Sequence, residues 1–180
     1  MGLLLKAVAF AAEKHRDQRR KDADASPYIN HPIELASLLK QQGIADITVL
    51  CAALLHDTIE DTNTTDDELQ REFGDSITAV VREVTDDKTL HKSDRKRLQI
   101  ERARSLSNRA RLVKLADKIC NLRDIVASPP ANWPRQRKEE YFAWAKNVID
   151  GLRGAHQGLE ALFDAVHADG LATVRKLPEA

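Results

Sequence analysis

The spacing of apolar residues along the chain is helical almost throughout. Two stripes of apolar residues repeat at intervals of three and four positions. The first lies within residues 3–18 and consists of Leu4, Ala7, Val8 and Ala11; the second consists of Ile77, Val80, Val81 and Val84. This spacing is typical of amphipathic helices, and no stretch alternates as a half-buried strand does. The pattern therefore predicts an all-α fold, a single helical bundle of about eight helices.

Cap and turn residues indicate where several of these helices begin. Pro32 suits the first turn of a second helix, and Thr65 with Glu68 forms a capping box at the start of a short helix. A long helix is expected over about 108–127, before a Pro-Pro pair. These signals predict short loops between packed helices.

The length of 180 residues corresponds to one domain. We expect a single domain over 1–180, with its core at about 3–155 and a C-terminal helix and tail at about 156–180. The tail after about Gly170 is expected to be weakly ordered. No run approaches the roughly 18 apolar residues that a membrane span needs, so no membrane partner is expected.

Charge and cysteine content narrow the classes of function. The chain has 28 Lys+Arg and 28 Asp+Glu, so its net charge is zero. Proteins that bind long nucleic acids need a basic excess, which argues against that class but leaves room for a local basic pocket.

Cys51 and Cys120 lie in apolar helical patterns and are expected in the core, which suits a cytoplasmic protein. The oligomeric state, monomer or homodimer, stays open.

A group of ionisable residues ends the most apolar helix of the chain. The segment VLCAALL is followed by His56 and Asp57, and then by Glu60 and Asp61. Apolar helices seldom end in this way unless the charged groups face a cavity. The alternative is a solvated helix end whose acidic residues have no chemical role.

Residues from two other helices suggest a metal site. His31 opens the second helix, and Asp117 lies on the polar side of the long helix. Together with His56 and Asp57 they would supply two nitrogens and two carboxylates, a set suited to Mn²⁺, Zn²⁺ or Fe²⁺. Periodicity alone leaves open whether these four residues converge. A carboxylate beside such a site, as in Glu60 or Asp61, can accept a proton from water.

Basic residues cluster at the end of the first helix, just before the loop that leads to His31. Arg20 and Lys21 belong to this cluster, and their side chains can stack on a base or bind phosphate. A run of charges is more often simply a solvated face, so this feature alone does not decide between the two interpretations.

These segments, in this order and spacing, resemble a known family. They are HRDQRRKD at 15–22, PYINHP at 27–32, ALLHDTIEDT at 53–62, FGDSI at 73–77, VTDDK at 84–88, VKLADKICNLRDI at 113–125 and EYFAWA at 140–145. The chain is similar over about residues 3–155 to the HD-domain hydrolases of the RelA/SpoT alarmone proteins, and in particular to the free-standing small hydrolases of the MESH1 type.

The resemblance implies an activity and a set of site residues. Such enzymes are Mn²⁺-dependent and hydrolyse the 3′-pyrophosphate of guanosine tetra- and pentaphosphate, (p)ppGpp, to give GDP or GTP and pyrophosphate. By the same resemblance one Mn²⁺ ion would be held by His31, His56, Asp57 and Asp117. The resemblance further assigns Glu60 and Asp61 to the attacking water, and a set of substrate contacts consisting of Arg20, Lys21, Lys92, Asn121, Arg137 and Tyr141.

Three alternatives remain open from the sequence. The same site could remove phosphate from another nucleotide, such as NADPH or a mononucleotide. A module that binds the nucleotide only as a sensor would be expected to have lost a ligand or the Glu60–Asp61 pair, and neither is missing. A helical interaction protein would not need the polar stripe that includes Asp117 and Asn121.

Overall fold

The computed structural model describes residues 2–178 and confirms the all-α prediction. Within that range the chain forms ten α-helices and one 3₁₀ turn, Ala103–Ser105. The α-helices are α1 (Gly2–Lys14), α2 (Asn30–Gln41), α3 (Ile47–Leu55), α4 (Thr58–Asp61), α5 (Asp66–Phe73), α6 (Asp75–Val84), α7 (Lys92–Arg102), α8 (Asn108–Ala127), α9 (Arg135–Asp150) and α10 (Gln157–Arg175). The count exceeds the predicted eight partly because the ionisable segment after the most apolar helix forms a short helix of its own, α4.

Two helices form the centre of the bundle. Every residue of α3 from Val49 to Leu55 is buried, and this helix packs against α1, α2, α6 and α8. The longer α8 is in contact with α2, α3, α6, α9 and α10. Because apolar residues pack around both helices, the polar side chains of these helices lie in a rigid environment that holds little water. Cys51 and Cys120 are free and buried in this core, as predicted.

The break between α3 and α4 positions the ionisable segment. The hydroxyl of Thr58 donates to the carbonyl of Leu55 at 2.7 Å, and His56 and Asp57 form the turn between the helices. A hydroxyl that caps a carbonyl competes with the backbone ladder and favours a helix end. The turn therefore separates the predicted ligand pair from Glu60 and Asp61, which lie on α4.

The first helix is shorter than predicted, because α1 ends at Lys14 rather than near residue 18. The chain then folds back on itself through an isolated antiparallel bridge between Arg19 and Pro27. Within this loop the backbone N–H of Tyr28 donates to the carbonyl of Gln18 at 3.1 Å. The loop thereby brings residues 18–22 next to the start of α2.

The prediction of weak order after Gly170 is wrong. Helix α10 continues to Arg175 and packs against α8 and α9, with Phe163 fully buried and Val174 buried. Gly170 permits this packing, since a Cβ at that position would lie 2.7 Å from a ring carbon of Phe142. Among helices of the described range, none has the length and apolar character needed to cross a membrane.

Candidate active site

Three buried side chains from different parts of the chain converge at the centre of the bundle. His31 lies in the first turn of α2, His56 follows α3, and Asp117 lies midway along α8. Nε2 of His31 is 3.3 Å from Oδ1 of Asp117, and Nε2 of His56 is 4.0 Å from the same oxygen. One ligand atom from each residue lies within 4.8 Å of the others, which is compatible with a shared metal ion.

Asp57 borders this cluster, although the three residues whose ligand atoms lie within 4.8 Å of one another do not include it. Its Oδ2 lies 2.9 Å from Nε2 of His56 and accepts a hydrogen bond from the hydroxyl of Tyr28. Burial raises the pKa of Asp57, but the adjacent imidazole of His56 outweighs burial and holds it well below its usual range. The carboxylate is therefore ionised, as a metal ligand must be.

The imidazole of His56 is oriented for ligation. Its Nδ1 lies 2.8 Å from the carbonyl of Ala53, so Nδ1 carries the proton and donates it to that oxygen. Nε2 is buried and faces Oδ2 of Asp57 at 2.9 Å and Oδ1 of Asp117 at 4.0 Å. A ring nitrogen buried beside two carboxylates fits a divalent cation, and backbone hydrogen bonds such as the one at Nδ1 orient metal-binding histidines. Burial lowers the pKa of His56, but Asp57 outweighs burial and raises it to about 9, so Nε2 holds a proton that a bound cation would displace.

Asp117 is held in place by its own helix. Oδ1 accepts a hydrogen bond from Asn121 at 2.6 Å, and Oδ2 pairs with the ammonium of Lys118 at 2.9 Å. Burial acts to raise the pKa of Asp117, yet Lys118 keeps it well below its ordinary value. The sequence analysis did not identify Lys118. The ammonium also lies 4.5 Å from the ring centre of Trp144, which accounts for its burial.

Glu60 and Asp61 lie on α4, next to the metal-ligand cluster but outside it. Oε2 of Glu60 accepts the backbone N–H of Asp86 at 3.1 Å, and Oε1 is 3.4 Å from Arg95. Burial raises the pKa of Glu60 to about 7. A carboxyl group with a pKa near neutrality can exchange a proton with water, which suits general acid–base chemistry.

Asp61 is fixed by two partners that the sequence analysis did not single out. Nε2 of Gln18 donates to Oδ2 at 2.9 Å, and the ammonium of Lys88 pairs with Oδ1. Both partners lie in segments quoted for the family resemblance, HRDQRRKD and VTDDK. Tyr28 was missed in the same way, although it stands three residues before His31 and carries an aromatic hydroxyl.

A cavity of about 380 Å³ opens beside the cluster. Four predicted substrate contacts line it together with Tyr28, Asp61 and Trp133; they are Arg20, Lys21, Asn121 and Tyr141. The guanidinium of Arg20 pairs with Asp124. The cavity thus joins aromatic surface to polar groups, as small-molecule sites generally do.

A second cavity of about 490 Å³ adjoins the first and shares Lys21, Trp133 and Tyr141 with it. Lys92 and Arg137, the remaining predicted contacts, line it. Further cationic and aromatic groups line the same cavity; they are Arg95, Lys96 and Trp144. Partial burial lowers the pKa of Lys92, and the nearby charges of Arg137, Lys96, Lys21 and Arg95 lower it further. Such a concentration of cations suits a polyanionic ligand.

The comparisons with known proteins agree with this geometry. The family model described as "HD domain" matches residues 7–146. Over 168 residues the chain is 54% identical to the guanosine-3′,5′-bis(diphosphate) 3′-pyrophosphohydrolase MESH1 of Xenopus tropicalis, with 93% of this chain and 94% of that protein covered. The human protein of the same name is 56% identical over 158 residues, 87% of this chain and 88% of its own length. The chain belongs to the MESH1 family of HD-domain proteins.

Solved structures support the same assignment. A metazoan ortholog of SpoT that hydrolyses ppGpp has 46% identity and a TM-score of 0.91, with 95% of this chain and 97% of that chain covered. A protein of Listeria monocytogenes is more distant, at 28% identity and a TM-score of 0.66 over 81% of this chain and 96% of that chain. The family resemblance inferred from the sequence is therefore confirmed.

Proposed function

We propose that this protein hydrolyses the 3′-pyrophosphate of (p)ppGpp, giving GDP or GTP and pyrophosphate. The observation that carries the proposal is the buried group of His31, His56 and Asp117, which Asn121 connects to the adjoining cationic, aromatic-lined cavity. The MESH1 relatives that carry this activity in their name align with almost the whole chain.

The residues of the cluster fit a single divalent ion, which we propose to be Mn²⁺. His31, His56, Asp57 and Asp117 would hold it, since their mixed nitrogen and oxygen donors suit Mn²⁺. When bound, the ion supplies a Lewis acid that polarises a phosphoryl oxygen and makes water more acidic.

The carboxylates on α4 supply the proton chemistry in this proposal. Water attacks the phosphorus that is attached to the ribose 3′-oxygen. The bond between that phosphorus and the 3′-oxygen breaks, and pyrophosphate is released as one of the two products. Asp61 orients the water, and Glu60, with its pKa of about 7, accepts the proton. The ribose 3′-oxygen leaves with a proton, so the nucleotide product has a free 3′-hydroxyl.

The two cavities supply the substrate contacts. Arg20 and Lys21 would meet the base, with Asn121 and Tyr141 lining the nucleoside pocket. Lys92 and Arg137 would bind phosphate in the second cavity, where cations outnumber the acidic groups Asp86 and Glu140. We also propose a single domain over residues 1–180 in a cytoplasmic protein, consistent with its two buried free cysteines.

The first experiment measures products with and without metal. Metal-stripped protein is incubated with ppGpp, with and without Mn²⁺, and GDP and pyrophosphate are quantified. Equal amounts of both products that depend on Mn²⁺ are expected. Their absence in the presence of Mn²⁺ rejects the proposal, and NADPH and mononucleotides are then assayed for release of orthophosphate.

Two variants separate metal binding from turnover. Glu60→Ala and Asp61→Ala are expected to retain bound Mn²⁺ and to lose most turnover, because both carboxylates lie outside the proposed ligand set. Loss of Mn²⁺ in either variant would show that the ligands are assigned wrongly. A protein that binds ppGpp without turnover in any metal would instead be a nucleotide sensor.

A further inference from the structure

A short chain of hydrogen bonds runs from the end of α1 to Asp61. His15 follows α1 immediately, and only 1% of its surface is exposed. Nδ1 of His15 lies 2.6 Å from Oε1 of Gln18, and Nε2 of Gln18 donates to Oδ2 of Asp61 at 2.9 Å. A buried imidazole is thereby connected through one amide to a carboxylate of the proposed reaction.

The chemistry of the three groups fixes the direction of these hydrogen bonds. An ionised carboxylate only accepts, so the NH₂ group of Gln18 must face Asp61 and its carbonyl oxygen must face His15. His15 therefore carries its proton on Nδ1 and donates it. The amide of Gln18 cannot rotate by half a turn without losing both bonds.

The other face of His15 suggests a role beyond packing. Its Nε2 is buried and has no hydrogen-bond partner in the described part of the chain, which destabilises the fold. An apolar side chain at this position would avoid that cost. A polar group kept here at a cost to stability indicates that its donor at Nδ1 is useful.

Asp61 has one half-buried partner, Gln18, and one exposed partner, Lys88. The ammonium of Lys88 pairs with Oδ1, but the Lys88 side chain is 49% exposed and belongs to the loop between α6 and α7. A long exposed side chain restrains a carboxylate weakly. Gln18 is held more firmly, because its backbone carbonyl also accepts the backbone N–H of Tyr28 at 3.1 Å.

We propose that Gln18 is a positioning residue for Asp61 and that His15 orients the amide of Gln18. The inference rests on the proposed function, since that function gives Asp61 its role. With Oδ2 held by Gln18, the plane of the carboxylate is set before substrate binds. Its Oδ1 stays available to water or to the cation of Lys88.

The first test removes the amide at nearly constant volume. We expect Gln18→Leu to lower kcat on ppGpp by roughly 10- to 100-fold, the range found when an outer-shell partner is removed. KM and bound Mn²⁺ should change little. Gln41→Leu is the matched control, because Gln41 is exposed and its side chain bonds only Ser37. A kcat of Gln18→Leu equal to that of the control overturns the proposal.

Two substitutions of His15 separate its donor from its ring. His15→Asn keeps an N–H near the position of Nδ1, whereas His15→Phe keeps a ring against Tyr28, whose centre lies 4.9 Å away. We expect the Asn variant to retain kcat within about threefold and the Phe variant to resemble Gln18→Leu. The opposite order would assign His15 to packing and overturn its orienting role.

A double-mutant cycle tests whether the effect passes through Asp61. In an Asp61→Ala background, Gln18→Leu should lower kcat no further, because the acceptor for the Gln18 amide is already gone. An undiminished second loss would mean that Gln18 acts elsewhere.

One measurement needs no substrate. The side-chain amide signals of Gln18, assigned in NMR spectra by their loss in Gln18→Leu, should shift in both Asp61→Asn and His15→Phe. Signals that do not move overturn the hydrogen-bond chain itself. A parent protein that fails to hydrolyse ppGpp would reject the proposed function alone, and the NMR result would still decide this inference.

Discussion

Glu60 is expected to make the metal-free protein less stable at alkaline pH, and replacing it by glutamine should reverse this. Burial raises the pKa of Glu60 to about 7 from its ordinary value of 4.5. The folded protein therefore binds this proton more tightly than the unfolded chain does. By linkage, the contribution of Glu60 to the free energy of unfolding falls as pH rises from below 4.5 to above 7.

The magnitude follows from the size of the shift. A difference of roughly 2.5 pKa units corresponds to about 3 kcal/mol at pH 8, and to less than about 1 kcal/mol at pH 5, where much of the unfolded chain is still protonated. Glutamine keeps an acceptor for the N–H of Asp86 but loses the ion pair with Arg95, a partly exposed contact worth about 1 kcal/mol or less. Glu60→Gln should therefore stabilise the protein at pH 8 by about 2–3 kcal/mol.

Thermal unfolding in the presence of a chelator measures this effect. For a chain of this length, 2–3 kcal/mol corresponds to a rise in Tm of roughly 4 to 12 °C at pH 8, with a much smaller rise at pH 5. Glu13→Gln, at an exposed carboxylate on α1, should change Tm little at either pH. An equal rise at both pH values, or none at pH 8, would refute the buried-carboxylate argument. The same variant should be nearly inactive, so stability and function oppose each other at this residue.

Three further results are expected. Mn²⁺ at one hundred times its Kd should stabilise the parent protein by about 2.7 kcal/mol and so raise its Tm, and it should leave the Tm of His56→Ala unchanged. Lys92→Met should raise KM for ppGpp several-fold with little change in kcat, whereas Lys40→Met, on the exposed end of α2, should alter neither constant. Gly170→Ala should lower the free energy of unfolding by about 1–3 kcal/mol, and Tm with it, because its Cβ would overlap the buried ring of Phe142; a calorimetric Tm equal to that of the parent would contradict this packing.

The fold was largely predictable because its helices follow an unbroken apolar period. The exceptions arise where tertiary contacts decide. The hydroxyl of Thr58 donates to the carbonyl of Leu55, so α3 ends where its apolar run ends and the ionisable segment forms the separate helix α4. The end of α10 looked weakly ordered because its last turns are rich in small and polar residues, yet Gly170 lets that helix lie close against Phe142.

The candidate site was less predictable than the fold. Periodicity placed His31, His56 and Asp117 on helices, and their convergence required the packing of α2, α3 and α8. The partners of the carboxylates were not evident in any local pattern. Gln18 meets Asp61 across 43 positions of sequence, and its loop conformation depends on a backbone bond to Tyr28.

The division of the site between bundle and loops has a consequence for how such proteins diversify. The proposed ligands are on or next to helices that the core holds on several sides, whereas both cavities are lined in part by loop residues, from 18–22 and from the segment 128–134 between α8 and α9. These loops are joined by one backbone hydrogen bond, from Ala131 to Lys21 at 2.9 Å. Loops tolerate insertion and substitution better than packed helices do. Mutations there can change which phosphorylated compound is accepted while the reaction centre is inherited intact, so relatives with very similar bundles need not share one substrate.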